Sequence, residues 1–140
     1  MFTKRVALVV IAGCLLTGCR SDRIQTYPAQ GLVLFDDGQP VKNGTIELES
    51  VEFKTTASGQ IREDGTFVLG TYTPNDGATS GKHRVIIVQL IVSDGVTKHQ
   101  KDHGRAVPTQ YSRYETSGLT VEIQPQKQNS LTLKLQSKRT

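Results

Sequence analysis

The stretch that most limits what this chain can fold into is Val-Ile-Ile-Val-Gln-Leu-Ile-Val at residues 85–92, apolar at every position but one and dominated by β-branched side chains. Such side chains lose rotamer freedom in a helix and pack well on a pleated surface, and glycines flank the run, so a strand is expected. The run is far short of the ~20 residues that cross a bilayer as a helix. Both of its faces are apolar. One should meet a core, and the other must be covered by a loop or a partner.

The remaining segments repeat the theme on a smaller scale. Leu32-Val33-Leu34-Phe35 is halted by the turn cluster Asp36-Asp37-Gly38-Gln39-Pro40. Ile46 and Leu48 alternate with Thr45, Glu47 and Glu49, which puts the apolar pair inward and the carboxylates toward water. Val51 and Phe53 continue on the opposite parity. Because strand side chains alternate with period two, that switch requires a bulge or a break near Ser50. Asp64-Gly65 between Gln60-Ile61 and Phe67-Val68-Leu69 signals a hairpin, since glycine accepts the positive φ of a tight turn. Residues 73–81 read as a loop, and 93–104 as a long polar loop or a ragged hairpin. Leu119, Val121 and Ile123, then Leu131, Leu133 and Leu135, mark two more half-buried strands. No helical period and no internal repeat is evident. Short strands with regular turn signals point to an all-β sandwich.

The N-terminus carries an address. Lys4 and Arg5 precede an uncharged apolar run over 6–16, and Leu16-Thr17-Gly18-Cys19 follows. This is the three-part pattern of a secretory signal, ending in a cysteine as a lipobox does. Cleavage before Cys19 removes residues 1–18 and leaves the cysteine as the lipid attachment point. Ile11-Ala12-Gly13-Cys14 also fits a lipobox, but processing there leaves an apolar region of only about six residues, below the roughly 7–15 such signals carry. Cys14 leaves with the signal and Cys19 takes lipid, so the mature domain has no disulfide and its core must suffice. Residues 19–26 read as the lipidated cysteine and a tether, 27–136 as the domain and 137–140 as a basic tail. Arg20, rather than Asp, follows Cys19. Asp at that place favours inner-membrane retention in lipoproteins of this type, so the outer membrane is favoured over the inner.

Removing 18 of the 140 residues leaves 122, enough for one core. The mature chain holds 15 Lys and Arg against 13 Asp and Glu. So small an excess gives no argument for nucleic acid, which calls for a concentrated basic face. The charge is nevertheless uneven. Residues 36–64 hold seven acids against three bases, and 82–114 hold six bases against two acids. Lys98, His99, Lys101, His103, Arg105, Arg113 and Tyr114 are therefore the candidate contacts for an acidic polymer, a glycan or an envelope protein. A pair of solvated surfaces accounts for the same pattern.

Catalytic and metal motifs are weak. His99 and His103 flank Asp102, yet no helix brings them to one face and Lys101 and Arg105 oppose a cation. Residues 77–82 have one residue too few between glycines for a phosphate loop, and a strand rather than a helix follows. Asp36, Asp37 and Asp64 are explained by turn chemistry. No cofactor and no enzymatic activity is expected. Tyr111 and Tyr114 lie beside Arg113 in a loop and suit a sugar or protein surface, although for Tyr111 anchoring of the loop against the sandwich is the favoured reading.

The order of these turns resembles the carboxypeptidase regulatory-like domains, a transthyretin-like (prealbumin-like) family found in small bacterial lipoproteins. The segments that carry the likeness are Tyr27-Pro28 leading to Val33, Asp37-Gly38-Gln39-Pro40-Val41-Lys42-Asn43-Gly44-Thr45-Ile46, Asp64-Gly65-Thr66-Phe67, Asp76-Gly77-Ala78, Gly81-Lys82, Val107-Pro108-Thr109-Gln110-Tyr111 and Thr116-Ser117-Gly118-Leu119-Thr120. They span nearly all of the mature chain. His83 departs from the pattern, which has an aromatic there. The resemblance implies a seven-stranded Greek-key β-sandwich without enzymatic activity, used as a stabilising or binding module. A lipid-anchored, non-catalytic domain of the cell envelope is the leading expectation. Its alternative is a carbohydrate- or acidic-polymer-binding module using the loop at 98–113.

Overall fold

The computed structural model describes residues 22–89 and 104–137. Cys19, Lys98, His99, Lys101 and His103 lie outside the described residues, as do the signal segment and most of the basic tail.

The described chain is mostly β-strand in several sheets, with little helix. A short strand β1 (Thr26–Tyr27) is followed by β2 (Ala29–Phe35), β3 (Gly44–Ser50), β4 (Thr56–Ile61), β5 (Thr66–Val68), β6 (Ala78–Thr79), β7 (Gly81–Val88), β8 (Leu119–Ile123) and β9 (Asn129–Leu135). One sheet has the order β5-β2-β9 and a larger one the order β4-β3-β7-β8, while β1 pairs with β6. Every ladder is antiparallel except β2 with β9, which run parallel from Ala29↔Asn129 to Phe35↔Leu135. The two larger sheets share one core. Val33, Phe35, Phe67 and Leu135 come from the first, and Ile46, Leu48, Val85, Ile87 and Ile123 from the second. Each such side chain stabilises the fold by about 1.5–3 kcal/mol through removal of its surface from water.

Local rules explain most of the boundaries. β3 stops at Ser50, where the parity switch demanded a break. Lys54 then takes φ +56° and donates its N–H to the Ser50 carbonyl, closing a turn that leaves Val51 and Phe53 exposed. The turn after β2 has Gly38 at φ +84°, and the Asp37 Oδ1 accepts the Gln39 N–H at 3.1 Å. β7 starts at Gly81, earlier than the apolar run itself, because Lys82 and Arg84 face outward while His83 and Val85 face the core.

Two expectations need correction. The Asp64-Gly65 turn forms, with Gly65 at φ +82°, but its arms do not zip into a continuous hairpin. Arg62 N–H donates to the Thr66 carbonyl, and Ser58 and Gly70 exchange two hydrogen bonds. Between these clasps β4 pairs with β3 and β5 with β2. Sheet pairing elsewhere outcompetes the local ladder. The segment holding Tyr111 and Tyr114 is also not plain loop. Thr109–Ser112 is a 3-10 turn and α1 (Tyr114–Ser117) is a single helical turn ended by Gly118 at φ +66°. Four residues are too few to show a helical period in sequence.

Candidate functional site

Two ends of the molecule are defined by the strand directions. The upper end carries the 36–40 and 62–65 turns, the end of β7 and residues 104–107. The lower end carries the N-terminal residues, the 51–54 turn, the 70–77 loop and the 124–128 turn. The sequence candidates that are described divide between the upper end and the outer face of the larger sheet.

Arg105 sits at the upper end. Its Nη2 lies 2.5 Å from the Asp37 Oδ2, and its guanidinium covers the Phe35 ring at 4.8 Å from the centroid. The hydrogen bond from Arg105 holds the Asp37 carboxyl below the usual carboxylate range, helped by the Gln39 N–H. Gln89 ties the same region together. Its amide nitrogen donates to the Lys42 carbonyl at 2.7 Å, and its amide oxygen accepts the Val107 N–H at 3.0 Å. Both Arg105 and Asp37 remain substantially exposed.

Tyr114 lies over the outer face of the larger sheet. Its hydroxyl donates to the Glu47 Oε1 at 2.7 Å, and the Arg84 guanidinium stacks on its ring at 5.1 Å. Arg84 also pairs with the Glu49 Oε1 at 2.7 Å. Burial pushes the Tyr114 phenol up, and the hydrogen bond and charge of Glu47 push it further, so it stays a neutral donor. Residues two apart on a strand share a face, and Arg84 is opposite Glu49 in the register, so β3 and β7 place these groups together. The cluster satisfies itself: each carboxylate already holds a donor. Arg113, next to Tyr114, is exposed. Arg105 and Tyr114 thus serve different sheets rather than one joint surface.

Tyr111 is buried, and its hydroxyl accepts the Gln136 N–H at 2.9 Å, pinning the end of β9. It is a loop anchor. No protein-family model, curated protein or solved structure matches this chain. The site must therefore be judged on its own chemistry. Among the described residues, no group of three or more His, Cys, Asp or Glu side chains is placed to hold a metal ion.

Sequence patterns did not reveal an open groove of about 490 Å³ between β4, the end of β5 and the 70–75 loop. Gln60, Arg62, Tyr72 and Asn75 give it amide, guanidinium and phenol groups. It exists because Gly59 lets β5 approach, a Cβ there falling 2.3 Å from the Val68 carbonyl oxygen, and because one carboxylate shapes the loop. Asp76 accepts the N–H groups of Thr71, Tyr72 and Thr73 at 2.6, 3.1 and 3.0 Å. Burial raises its carboxyl, but those backbone donors together outweigh burial and hold it below its ordinary value. The Asp76-Gly77 pair was legible as a turn; its grip on three amides depends on a loop geometry that no period encodes.

Sequence also missed the polar interior at the lower end. His83 is fully buried, where the resembled pattern has an aromatic. Its Nδ1 is 3.0 Å from the Gly81 carbonyl, which can only accept, so Nδ1 carries the proton. Nε2 then faces the Thr79 hydroxyl at 3.4 Å, which is itself 2.8 Å from the Thr55 hydroxyl. Burial pushes the imidazole below its ordinary value, against the hydrogen bond to Gly81 and the charge of Glu122, which raise it. The ring is a neutral structural link.

Proposed function

We propose that this protein is a lipid-anchored, non-catalytic β-sandwich domain of the bacterial cell envelope, held to the membrane through Cys19. The observation that carries the reading is the signal ending in Leu16-Thr17-Gly18-Cys19. Diacylation of that cysteine provides stable anchoring where a single chain gives only marginal binding. The outer membrane is the favoured site because Arg20 follows the cysteine. The three- and four-stranded sheets around one core support a seven-stranded Greek-key arrangement of the transthyretin-like kind, with β1 and β6 as an added clasp. A structural or protein-interaction role fits the polar clusters described above, whose donors and acceptors are consumed by the fold itself. Replacing Cys19 by Ser is expected to move the protein from membrane to soluble fractions, while Cys14→Ser changes little. Membrane retention of the Cys19→Ser protein would overturn the anchor.

A second reading, carbohydrate binding, is favoured by the groove at Gln60, Arg62, Tyr72 and Asn75 rather than by the 98–113 loop expected from sequence, of which 98–103 lie outside the described residues. Amide and guanidinium groups beside an aromatic suit sugar hydroxyls. Thermal shift of the mature chain with cell-wall glycan fragments tests it. A ligand at 100 times its dissociation constant adds about 2.7 kcal/mol, a shift of several degrees. An unchanged melt across the panel removes this reading.

A further inference from the structure

The lower end combines two features that bear on how an anchored domain meets its membrane. First, the chain is fastened to this end at Arg23, Ile24 and Thr26. The Ile24 N–H donates to the Tyr72 hydroxyl at 3.1 Å, the Arg23 guanidinium stacks on the Tyr72 ring at 5.3 Å, and Thr26 pairs with Thr79 in a strand. Residues expected to act as a free tether are in part built into the domain. Three residues lie between Cys19 and Arg23, and the four steps from one to the other span at most ~14 Å of fully extended chain.

Second, exposed large apolar side chains gather at the same end. Ile24, Val51 and Phe53 are 38, 43 and 36 % exposed. The 51–54 turn is fixed beside the N-terminal strand by a direct path: Thr26 pairs with Thr79, the Thr79 and Thr55 hydroxyls are 2.8 Å apart, and the Thr55 carbonyl accepts the Ser50 N–H. The Val51 N–H donates to the Lys82 carbonyl and Phe53 N–H to the Ser50 hydroxyl, so the tip is braced rather than loose. Basic Arg23, Lys54, Lys82 and Lys127 on this rim are nearly matched by Asp22, Glu52 and Glu122. The rim offers apolar tips rather than a charged patch.

The geometry points to a second membrane contact: the 51–54 turn, with Val51 and Phe53 at its tip and Ile24 at the same end of the domain, rests in the headgroup region of the bilayer that holds the Cys19 lipid. This rests on the lipid-anchor reading. The occupant is a lipid surface because an anchor within ~14 Å of Arg23 leaves the lower end no large distance from the bilayer, and phenylalanine and aliphatic side chains bury into the boundary between headgroups and acyl chains. The upper end, with Arg105, Asp37 and the 62–65 turn, then faces away from the membrane.

The chain contains no tryptophan, so a single indole reports its own surroundings. Phe53→Trp and, as a control at the opposite end, Val88→Trp are prepared in the full lipidated protein and reconstituted in vesicles of phosphatidylethanolamine and phosphatidylglycerol, with and without brominated acyl chains. The Phe53→Trp indole is expected to shift to the blue and to be quenched by bromolipid at both low and high salt, and the Val88→Trp indole to do neither. If the protein floats with the vesicles while both indoles behave as in water, the anchor stands and the docking contact is overturned. If the protein does not float, the anchor fails and takes the contact with it.

Discussion

The two ends of this domain are held together by different physics. At the lower end polar groups are drawn in and satisfied by backbone: the Asp76 carboxylate on three amides, His83 between Gly81 and Thr79, and the Asn129 side chain on both polar groups of the Gln124 backbone and on the Pro28 carbonyl. At the upper end the Gln89 amide also grips backbone, at the Lys42 carbonyl and the Val107 N–H, but pairs of exposed side chains, Arg105 with Asp37 and Ser137 with Asp36, are added to it. A buried, satisfied network is costly to break because an orphaned group bears its full desolvation penalty, whereas an exposed ion pair is screened and entropically expensive to hold. Loss of the buried His83 or Asn129 links at the lower end is therefore expected to cost more than loss of the exposed Arg105–Asp37 pair at the upper end.

The sharpest way to break that contrast is Gly77→Ala. Gly77 has φ +87°, and a Cβ there would sit 1.9 Å from the Tyr27 carbonyl oxygen, so the β1–β6 clasp must open. A loss of about 3 kcal/mol or more is expected, lowering Tm in a thermal melt by roughly 10–20 °C. Asp76→Ala comes next. Removing the shared acceptor of three amides should cost about 2 kcal/mol in a urea titration. Because the native carboxyl is held below its unfolded value of about 3.9, its stabilisation is present above that pH and fades as the pH falls through and below it. Wild type should therefore lose more stability than the Asp76→Ala protein between pH 5 and about 2.

His83 gives a smaller effect at a higher pH. Its native pKa lies below the unfolded value of about 6.5, so under acid the unfolded chain binds the extra proton. Stability is full above that value and is lost as the pH falls through it. Tm measured from pH 7.5 to 5 should drop in wild type, and the slope should flatten in His83→Gln; equal slopes would show that the ring stays ready to ionise in place. The smallest change is expected at the upper end, where Arg105→Ala should leave Tm within about 3 °C of wild type. A larger loss there would erase the distinction between the ends.

The alternation of Ile46 and Leu48 with Glu47 and Glu49, the three apolar positions in each of β8 and β9, the turn at 36–40 and the break at Ser50 were legible because each follows from a period of two or from glycine's freedom in φ. The site was less so. Residues 98–103 lie outside the described chain, Arg105 and Tyr114 proved to be tied to separate partners, and the groove at Gln60, Arg62, Tyr72 and Asn75 had no motif to announce it.

The sequence by itself determined that the chain is built of short strands and which side chains of β3, β8 and β9 turn inward, and it supplied the N-terminal pattern on which the export reading rests. Only the tertiary structure decided that β2 lies parallel to β9 from about a hundred residues away, that β4 and β5 leave a shared turn for different sheets, and that His83 is enclosed as a neutral link. Period-two alternation specifies a face and not a neighbour. Neighbours are chosen by non-local backbone pairing and by how buried polar groups find partners, and both depend on the whole chain at once.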